Sequence, residues 1–596
     1  MKVSDYICSR IKELTGTDTV FLLSGGGMMH LLDSVGKTDG LKYMHLHHEQ
    51  SCGFAAYAYG RTVNSTGVLF VTSGPGGTNA ITAVASAFTD SVPMLIISGN
   101  ITQTFSAHGL NLRIRGFQEL DIVEVVKPIT KYAKFISSAS DVKRELEKAV
   151  FLAKDGRPGP VWLDIPLDVQ CADITPDTLE GYTGFSSNAA PTMDLVQDIR
   201  QRLQSAKRPL ILFGNGVFTS GGKDAARKMA QRFYIPVQTT WGAVDLIPDN
   251  YVTYFGRSNS FGPRYPNIII QNADYILSIG ARLGVQHTSH NIETFARGAF
   301  VDMIDLDPAE ANKPGLNVGR HSRVCGTKLI NALLDEPPVW ASQEWMDYCR
   351  TVRDKFPVAP NLQAVREDHY VDPYYFYAEL GSQLPDDAVL TPTGSGQAFI
   401  IGHQVLEIKE NTRMFGAKNL AMMGSCLPSA IGAHMATGKQ VICVTGDGGI
   451  QLNLQELAII QHHNLPIKIF VFNNAGYHAI RITQEKYFES RYVGSTEHTG
   501  VHIPSFSNVA NCYGLRYRKL HSNIQVKTLI ANILTTEGPE IIEVILDPHK
   551  PTVPTIGSYM RADGTMGSRP LEDMAPLVDR DELRSLMYID LVEEKA

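Results

Sequence analysis

Residues 441–476, VICVTGDGGIQLNLQELAIIQHHNLPIKIFVFNNAG, decide the fold of this chain. The apolar run Val441–Thr445 ends in the turn GDGG (446–449), which predicts a buried strand, a sharp turn and the start of a helix. Residues 452–460 show helical periodicity, and a second buried strand then ends in Asn473-Asn474. Strand, helix and strand in this order predict a βαβ unit with two parallel strands.

Asp447 and Asn474 follow the two strands of this unit. Because parallel strands end at the same edge of a sheet, we expect the two side chains to lie close together. A carboxylate, an amide oxygen and the backbone carbonyl of Gly476 form an all-oxygen set, which suits Mg²⁺. The glycine turn lets backbone N–H groups approach a diphosphate at a helix start. GDG alone is also typical of an ordinary strand-end turn, but the Asn-Asn after the next strand favours a metal site.

Size and charge restrict the classes of function. With 596 residues the chain is too long for one core, and about three to five domains are expected. A net charge of -7 and a pI near 6.2 give no reason to expect nucleic acid or a membrane surface as a partner. Small polar or anionic substrates remain open.

The eight cysteines lie far apart and form no CxxC pair, which predicts reduced thiols in a cytoplasmic protein. The first residues, MKVSDYICSRIKELTG, predict an amphipathic helix without the apolar core of a signal peptide. No apolar segment reaches the roughly 18 residues that a membrane span needs. We therefore expect a protein without membrane-spanning segments.

Alternating strands and helices predict three doubly wound parallel α/β domains. In the first domain, strands run repeatedly into glycine-rich turns, which places a binding crevice at the carboxyl ends of the strands. The expected ranges are 1–180, 195–340 and 365–555, with linkers over 171–195 and 341–370. A polar, turn-rich tail over 556–596 is expected to fold over the active site as a lid.

Four stretches carry a resemblance to a known family. HHEQSCGFAAYAYGR, TSGPGGTNAITAVASAFTDSVPMLIISGN and FQELDIVEVVKPITKY resemble, in this order, the pyrimidine-binding domain of acetolactate synthase and its relatives. The GDG…NN spacing is similar to the metal–diphosphate motif of the same thiamine diphosphate (ThDP) enzymes. The resemblance covers nearly the full length. It implies pyrimidine-binding, central and diphosphate-binding domains, with sites shared between the subunits of a homodimer or homotetramer.

The resemblance also implies roles for individual residues. Glu49, which alone would read as a dipole partner at a helix start, is implied to bind the aminopyrimidine and drive deprotonation of the cofactor. Gln118 is implied to face the reacting carbon, Met423 to bend the cofactor, and Lys131 to lie near the substrate entrance. The implied cofactor contacts are Gly74, Asn79, Gly394, Gly396, Gln397, Met423, Gly446, Gly448, Gly449, Asn474, Gly476 and Tyr477, and the implied Mg²⁺ ligands are Asp447, Asn474 and Gly476.

Two departures from the family's pattern bear on these expectations. Ala398 stands where the family has a His in its diphosphate loop. In the central domain, acetolactate synthases hold a structural FAD, but GARLGVQHTSHN departs from the family's GARFDDRVTG. The stretches that stand where the family's FAD contacts would be are Gly214-Asn215-Gly216, Thr239-Thr240, Gly280-Ala281-Arg282 and Asp305-Leu306-Asp307. An Arg in a strand-end loop and an Asp that ends the next strand also occur in relatives that bind no flavin. The sequence therefore leaves FAD open, with a preference for a bound flavin.

The segment after Asn474 bears on the substrates. The resemblance implies decarboxylation of a 2-oxo acid, most simply pyruvate, and carboligation of the two-carbon unit to an acceptor carbonyl. Tyr477, His478, Arg481 and Gln484 predict a polar acceptor wall, and Thr483 stands in place of the family's Trp. This pattern favours a keto-sugar or keto-sugar nucleotide as the acceptor. The alternatives are acetolactate synthase proper, a decarboxylase or cyclic-dione hydrolase, and an inactive regulatory subunit of the same fold.

Overall fold

The computed structural model describes residues 1–358, 369–392, 396–416, 418–561 and 563–592. Three parallel sheets, each covered by helices, follow one another along these ranges, which confirms the predicted fold class. Every neighbouring strand pair inside the three sheets is parallel, as alternating strands and helices require.

The first sheet has six strands in the order β2-β1-β3-β4-β6-β5. Its central strands are buried along their whole length, because helices cover both faces. The strands are β1 Thr19–Leu22, β2 Lys42–His45, β3 Gly67–Val71, β4 Met94–Asn100, β5 Tyr132–Phe135 and β6 Pro160–Pro166. The helices are α1 Val3–Thr15, α2 Met29–Lys37, α3 Glu49–Val63, α4 Pro75–Asp90, α5 Ile122–Val126, α6 Val142–Lys154 and α7 Leu167–Cys171.

The second sheet has five strands in the order β11-β10-β9-β7-β8. The strands are β7 Pro209–Phe213, β8 Val237–Thr239, β9 Tyr275–Ile279, β10 Phe300–Ile304 and β11 Arg320–Ser322. The helices are α8 Met193–Ser205, α9 Asn215–Thr219, α10 Lys223–Arg232, α11 Arg264–Asn272, α12 Val285–Thr288, α13 Gly326–Asp335 and α14 Gln343–Lys355. Helix α14 occupies part of the stretch expected to be a linker, because Trp345 and Met346 bury its apolar face in the core of this domain.

The third sheet has six strands in the order β13-β12-β14-β15-β17-β16. The strands are β12 Val389–Pro392, β13 Arg413–Met414, β14 Val441–Gly446, β15 Ile467–Asn473, β16 Arg516–Leu520 and β17 Glu540–Ile545. The helices are α15 Pro373–Gln383, α16 Gln397–Val405, α17 Cys426–Thr437, α18 Leu457–His462, α19 His478–Tyr487, α20 Phe506–Cys512 and α21 Asn523–Thr535.

The βαβ unit predicted from residues 441–476 is present in this third sheet. Strands β14 and β15 pair in parallel from Val441 opposite Ile467 to Gly446 opposite Phe472. The connecting segment begins as a 3₁₀ helix over Ile450–Glu456 and becomes α-helical only at α18. Asn453 interrupts the helix because its side-chain amide donates to the Gly424 carbonyl, 2.8 Å away, and to the Gln50 side chain.

The tail after β17 lies mainly against the central domain. It contains β18 Thr555–Ile556, β19 Ser558–Met560, β20 Met566–Ser568, β21 Met574–Ala575 and α22 Arg580–Ser585. The buried carboxylate of Glu572 accepts bonds from Gln271 and Arg297, and Asn272 bonds the chain at Leu586 and Tyr588. Two parts of this segment reach α19: the Lys550 carbonyl contacts His478, and Ser558 of the β19–β20 hairpin contacts Tyr487. The lid role of this tail stays a prediction. In the described ranges, none of the helices is both long and apolar enough to cross a bilayer.

Helices α3 and α17 join the first and third domains into one shared apolar core. The two helices approach closely because both carry small residues along the contact. A Cβ atom built on Gly432 would lie only 2.1 Å from the Ala55 carbonyl oxygen. The spacing between the two domains therefore depends on the missing side chain at Gly432.

Replacement of Gly432 by Ala should separate these helices and destabilise the protein. Overpacking of a tight core contact costs about 1–3 kcal/mol, so the denaturation midpoint should fall. Gly36→Ala is the matched control, because Gly36 is helical and a Cβ there meets nothing within 4 Å. Urea unfolding followed by circular dichroism measures both variants. Equal stability of Gly432→Ala and wild type would contradict the close approach.

Candidate active site

The carboxylate of Asp447 directly follows β14 and is buried. One oxygen accepts from the backbone N–H of Gly448 at 2.7 Å, and the other accepts from Asn474 and Gly476 at 3.1 and 3.0 Å. Burial raises the pKa of Asp447 to about 6, although these N–H groups and Arg481 act in the opposite direction. A cation at this carboxylate would offset the cost of its burial.

Asn474 supplies the second oxygen of the predicted ligand set. Its side chain is buried, and its amide nitrogen donates to Gln397 Oε1 at 3.0 Å. Its side-chain oxygen, Oδ1, is buried without any hydrogen-bond partner among the described residues. No cluster of three or more His, Cys, Asp and Glu side chains that could hold a metal occurs in the described ranges. The residues present therefore fit a hard cation held by one carboxylate and neutral oxygens.

The other predicted contacts of the diphosphate edge surround this pair. Tyr477 lies against the glycine turn, since a Cβ on Gly448 would meet its ring at 2.2 Å, whereas the space beside Gly446 is open. Gly396 precedes α16, and Gly449 precedes the 3₁₀ helix. Gly394 lies outside the described residues. Met423, which is expected to bend the cofactor, is half-buried. It lies in the loop that Asn453 holds by its hydrogen bond to the Gly424 carbonyl.

Glu49 is the first residue of α3 and lies at the corresponding edge of the first sheet. Its side chain is buried, and Asn79 donates to its Oε2 at 2.9 Å. Its Oε1 would be 3.6 Å from a Cβ on Gly76, so the glycine leaves this oxygen open on that side. The two predicted contacts Glu49 and Asn79 are thus brought together, one from each of two neighbouring helices.

Gln118 and Gly74 also meet at this edge. A Cβ on Gly74 would lie 2.5 Å from the Gln118 carbonyl oxygen, and the backbone of Gly74 has a φ of +60°. Gln118 itself has a φ of +56°, a conformation that non-glycine residues seldom adopt. The surrounding structure must therefore hold Gln118 in place.

Glu119, which the sequence reasoning missed, provides that support. Its buried carboxylate accepts from Ser106 Oγ and the Ala107 N–H with one oxygen, and from the N–H groups of Arg115 and Gly116 at 3.1 Å with the other. Burial opposes ionisation, but these bonds prevail and lower the pKa of Glu119. The Glu119 carboxylate thus connects both ends of the loop over residues 106–116 by hydrogen bonds. Its place next to Gln118 in the FQE stretch was the available signal.

The Glu49 and Asp447 groups belong to different domains of the chain. The closest bonds between these two edges are from the His47 N–H to Glu456 and from Asn453 to Gln50. Among the described residues no hydrogen bond links Glu49 itself to the Asp447 group. The fold therefore presents two half-sites, each with its own buried carboxylate.

The structure corrects the predicted acceptor wall. His478 is buried with Nε2 2.9 Å from the Lys550 backbone carbonyl, and the Arg481 guanidinium donates to the backbone carbonyl of Asn474 at 2.8 Å. Gln484 bonds the Val493 carbonyl and the Ser495 hydroxyl. These side chains are engaged internally because they stabilise the loops on either side of α19. The exposed positions of α19 are instead Ala479, Ile480, Thr483, Lys486 and Tyr487.

Lys131, expected near the substrate entrance, precedes strand β5. It therefore lies at the edge of its sheet opposite to Glu49 within this chain, since all strands are parallel. Its Nζ donates to the Asp155 carbonyl at 2.5 Å. Burial lowers the pKa of Lys131 to about 8. Within one chain, Lys131 is not part of the Glu49 group.

A cavity of about 190 Å³ lies at the carboxyl edge of the central sheet. Its walls include the predicted stretches at Asn215-Gly216, Thr240, Gly280 and Asp305. The departing stretch GARLGVQHTSHN contributes His287, which is buried with Nδ1 3.0 Å from the Ser258 carbonyl. Burial lowers the pKa of His287 to about 3, so the imidazole is neutral.

Positive charge exceeds negative charge on one side of this cavity. Arg61, Arg282 and Lys418 line it together with Asp90. Burial and the neighbouring Arg282 lower the pKa of Lys418 to about 8. This crowding of cations would be relieved by an anionic ligand, such as one that carries phosphate groups.

Comparison with known proteins agrees with this arrangement of domains. Three family models match the chain: thiamine pyrophosphate enzyme, N-terminal TPP binding domain over residues 1–125, central domain over 196–319, and C-terminal TPP binding domain over 394–544. The chain is thus a ThDP-dependent enzyme of the transferase and carboligase class.

The curated relatives narrow this class. The acetolactate synthase large subunit of Lactococcus lactis subsp. lactis is 30% identical over 95% of this chain and 96% of the relative. Acetolactate synthase isozyme 2 large subunit of Escherichia coli is 31% identical over 89% and 93%, and acetolactate synthase 1, chloroplastic, of Oryza sativa is 30% identical over 92% and 85%. The chain belongs to the acetolactate synthase family of ThDP enzymes.

Proposed function

We propose that this enzyme decarboxylates a 2-oxo acid, most simply pyruvate, and joins the resulting two-carbon unit to the carbonyl group of a keto-sugar or keto-sugar nucleotide. The observation that carries the proposal is the pair of half-sites: Glu49 with Asn79 at one sheet edge, and Asp447 beside the unpaired oxygen of Asn474 at the other. A copy without catalytic function would have no need to keep two buried carboxylates.

Asp447, Asn474 and the Gly476 carbonyl would hold Mg²⁺, and Gly396, Gln397, Gly446 and Tyr477 would surround the diphosphate. When bound, ThDP supplies the electron sink that decarboxylation and carbon–carbon bond formation require. Glu49 Oε2 is held by Asn79, so Oε1 remains to exchange a proton with the aminopyrimidine ring. Gln118, kept at positive φ by its neighbours, would orient the substrate.

The exposed face of α19 supports a large and polar acceptor. Ala479 and Thr483 are small, and Lys486 and Tyr487 are polar and follow on the same side of the helix. The loop over residues 106–116, which Glu119 holds by hydrogen bonds, carries the exposed cations Arg113 and Arg115. Small side chains leave room for a sugar, and cations suit a phosphate group.

Acetolactate synthase proper is the second candidate, because the relatives described above carry that name. In that reaction the acceptor would be a second 2-oxo acid. Its methyl group calls for a small apolar wall. Ile480, the only large aliphatic residue on the exposed face of α19, is the residue that favours this alternative.

We also propose that the central cavity holds FAD. Support comes from the surplus of cations at Arg61, Arg282 and Lys418 and from the glycine turns at its base. The neutral His287 offers an unpaired Nε2 acceptor in the wall of the cavity. A dinucleotide would bring both phosphates and ring N–H donors to these groups.

Assembly as a homodimer or homotetramer would complete the two half-sites. The loop around Glu119 exposes five large apolar side chains, each at least half accessible in the single chain: Phe105, Leu110, Leu112, Ile114 and Phe117. Such an exposed apolar patch is typical of a subunit interface. A cytoplasmic location is proposed on the cysteines, since all eight are free thiols.

Glu49→Gln should lower the rate of proton exchange at C2 of bound ThDP by roughly 10²-fold or more, because the amide cannot relay the proton. The affinity for ThDP should fall much less. Hydrogen–deuterium exchange followed by NMR measures the rate, with Glu124→Gln as the control, since Glu124 is exposed on α5. Wild-type exchange in Glu49→Gln would remove Glu49 from its assigned role.

Pyruvate consumption should rise when a keto-sugar or keto-sugar nucleotide is added, whereas pyruvate alone should give little acetolactate. Thr483→Trp should reduce the sugar-dependent rate by about 10-fold or more, because the larger side chain fills the acceptor side of α19. Thr535→Trp is the control, because Thr535 is exposed at the last position of α21. A coupled decarboxylation assay measures the rates. Efficient acetolactate formation that no sugar alters would favour acetolactate synthase proper.

The purified enzyme should show the visible absorbance of a bound flavin. Lys418→Met should lower the flavin content of the protein, because it removes a cation from the cavity wall. Lys207→Met should leave it unchanged, since Lys207 is exposed in the loop before β7 and does not line the cavity. A colourless protein whose thermal stability does not respond to added FAD would disprove flavin binding.

A further inference from the structure

The side-chain amide of Asn474 is held in one of its two orientations. Its nitrogen donates to Gln397 Oε1 at 3.0 Å, while its oxygen is buried without a hydrogen-bond partner in the described part of the chain. Rotation of the amide by a half-turn would place the N–H₂ group where the oxygen now lies. A cation site can tolerate only the first orientation, because an amide nitrogen donor would face the cation.

Gln397 sets this orientation because its own amide cannot turn. Gln397 is buried as the first residue of α16, and its Nε2 donates to the backbone carbonyl of Lys550 at 3.1 Å. A backbone carbonyl can only accept. The nitrogen of Gln397 must therefore point toward Lys550, its oxygen must point toward Asn474, and Asn474 must in turn present its nitrogen to Gln397.

The Lys550 carbonyl is itself well anchored. The imidazole Nε2–H of His478, the first residue of α19, donates to the same oxygen at 2.9 Å. The Lys550 ammonium group pairs with the buried Asp372 at 2.6 Å, and Asp372 also caps the start of α15. The Lys550 carbonyl oxygen thus accepts hydrogen bonds both from Gln397 at the start of α16 and from His478 at the start of α19.

We propose that Gln397 is a positioning residue, which relays the polarity of the Lys550 carbonyl to Asn474 and so presents the Asn474 oxygen, with Asp447, to a divalent cation. The relay consists of one backbone carbonyl and two side-chain amides, and each amide has a single permitted orientation. This inference rests on the proposed function only in taking a divalent cation to bind at Asp447. It assigns to Gln397 a role toward the metal ligand itself, in addition to the diphosphate.

Cation binding can be measured without turnover. With ThDP present, Mn²⁺ serves as the probe, and electron paramagnetic resonance reports the free Mn²⁺ that remains in solution. Gln397→Leu should weaken Mn²⁺ binding by roughly 10-fold or more, as expected for loss of a residue that orients a metal ligand. Gln397→Met, which keeps the length of the side chain without an amide, should show the same loss.

Gln404→Leu is the matched control. Gln404 lies on the same helix, is equally buried, and donates its amide to the carbonyls of Phe261 and Pro554 without touching a predicted ligand. Its loss should affect thermal stability but not the affinity for Mn²⁺. A similar fall in Mn²⁺ affinity in this variant would show that general loosening of α16, and not the orientation of Asn474, is responsible.

A double-mutant cycle separates orientation from packing. In an Asn474→Asp background both side-chain oxygens can accept, so the group has no wrong orientation. The fixed Oε1 of Gln397 would face a carboxylate oxygen in this background, so Gln397→Leu should no longer weaken Mn²⁺ binding there. An equal loss in both backgrounds, or no loss in the wild-type background, would overturn the relay. If the wild-type protein with ThDP bound no Mn²⁺ at all, the proposed metal site would fail, and the relay with it.

Discussion

The contact between α3 and α17 is the constraint on which the arrangement of the two half-sites depends. Glu49 begins α3, and α17 starts just after the loop that carries Met423. The two helices bury a common apolar core, and the Ala55 carbonyl lies where a side chain on residue 432 would otherwise be. Because cores are close-packed and do not deform continuously, this contact fixes how the first and third sheets are placed.

Both sheet edges contain buried carboxylates, and the burial of a charged group is energetically unfavourable. Asp447 is placed under three backbone N–H groups, and Glu119 gathers four donors from its loop. Burial works against the charge of each carboxylate, and each relies on fixed donors in compensation. For Asp447 this compensation is incomplete, and the Asn474 side-chain oxygen has no hydrogen-bond partner within the described ranges. These two features are the basis for proposing a cation at this edge.

The relation to acetolactate synthases extends over nearly the whole chain. Glu49 and the GDG…NN unit follow the family's pattern, whereas α19 and the stretch GARLGVQHTSHN depart from it. The departures lie on α19 and in the wall of the central cavity. Specificity differences within one fold are expected at such positions, because the reaction needs the shared groups and each substrate touches its own walls.

The sequence alone determined the class of fold, the βαβ unit around Asp447 and Asn474, and the location of Glu49 at a helix start. These features follow from local periodicity and from the rule that parallel strands end at one edge. Only the tertiary structure decided what His478, Arg481 and Gln484 do. The partner of His478, the Lys550 carbonyl, lies far along the chain, and Arg481 and Gln484 bond irregular loops whose course no periodicity predicts. The same holds for Glu119, whose hydrogen bonds depend on how the loop before it folds. It also holds for α14, because the packing of its apolar face against the central core is visible only in the folded protein. The hydrogen bonds that orient Asn474 connect Gln397 and Lys550, which are far apart in the sequence. No local sequence pattern therefore predicts that Gln397 orients Asn474.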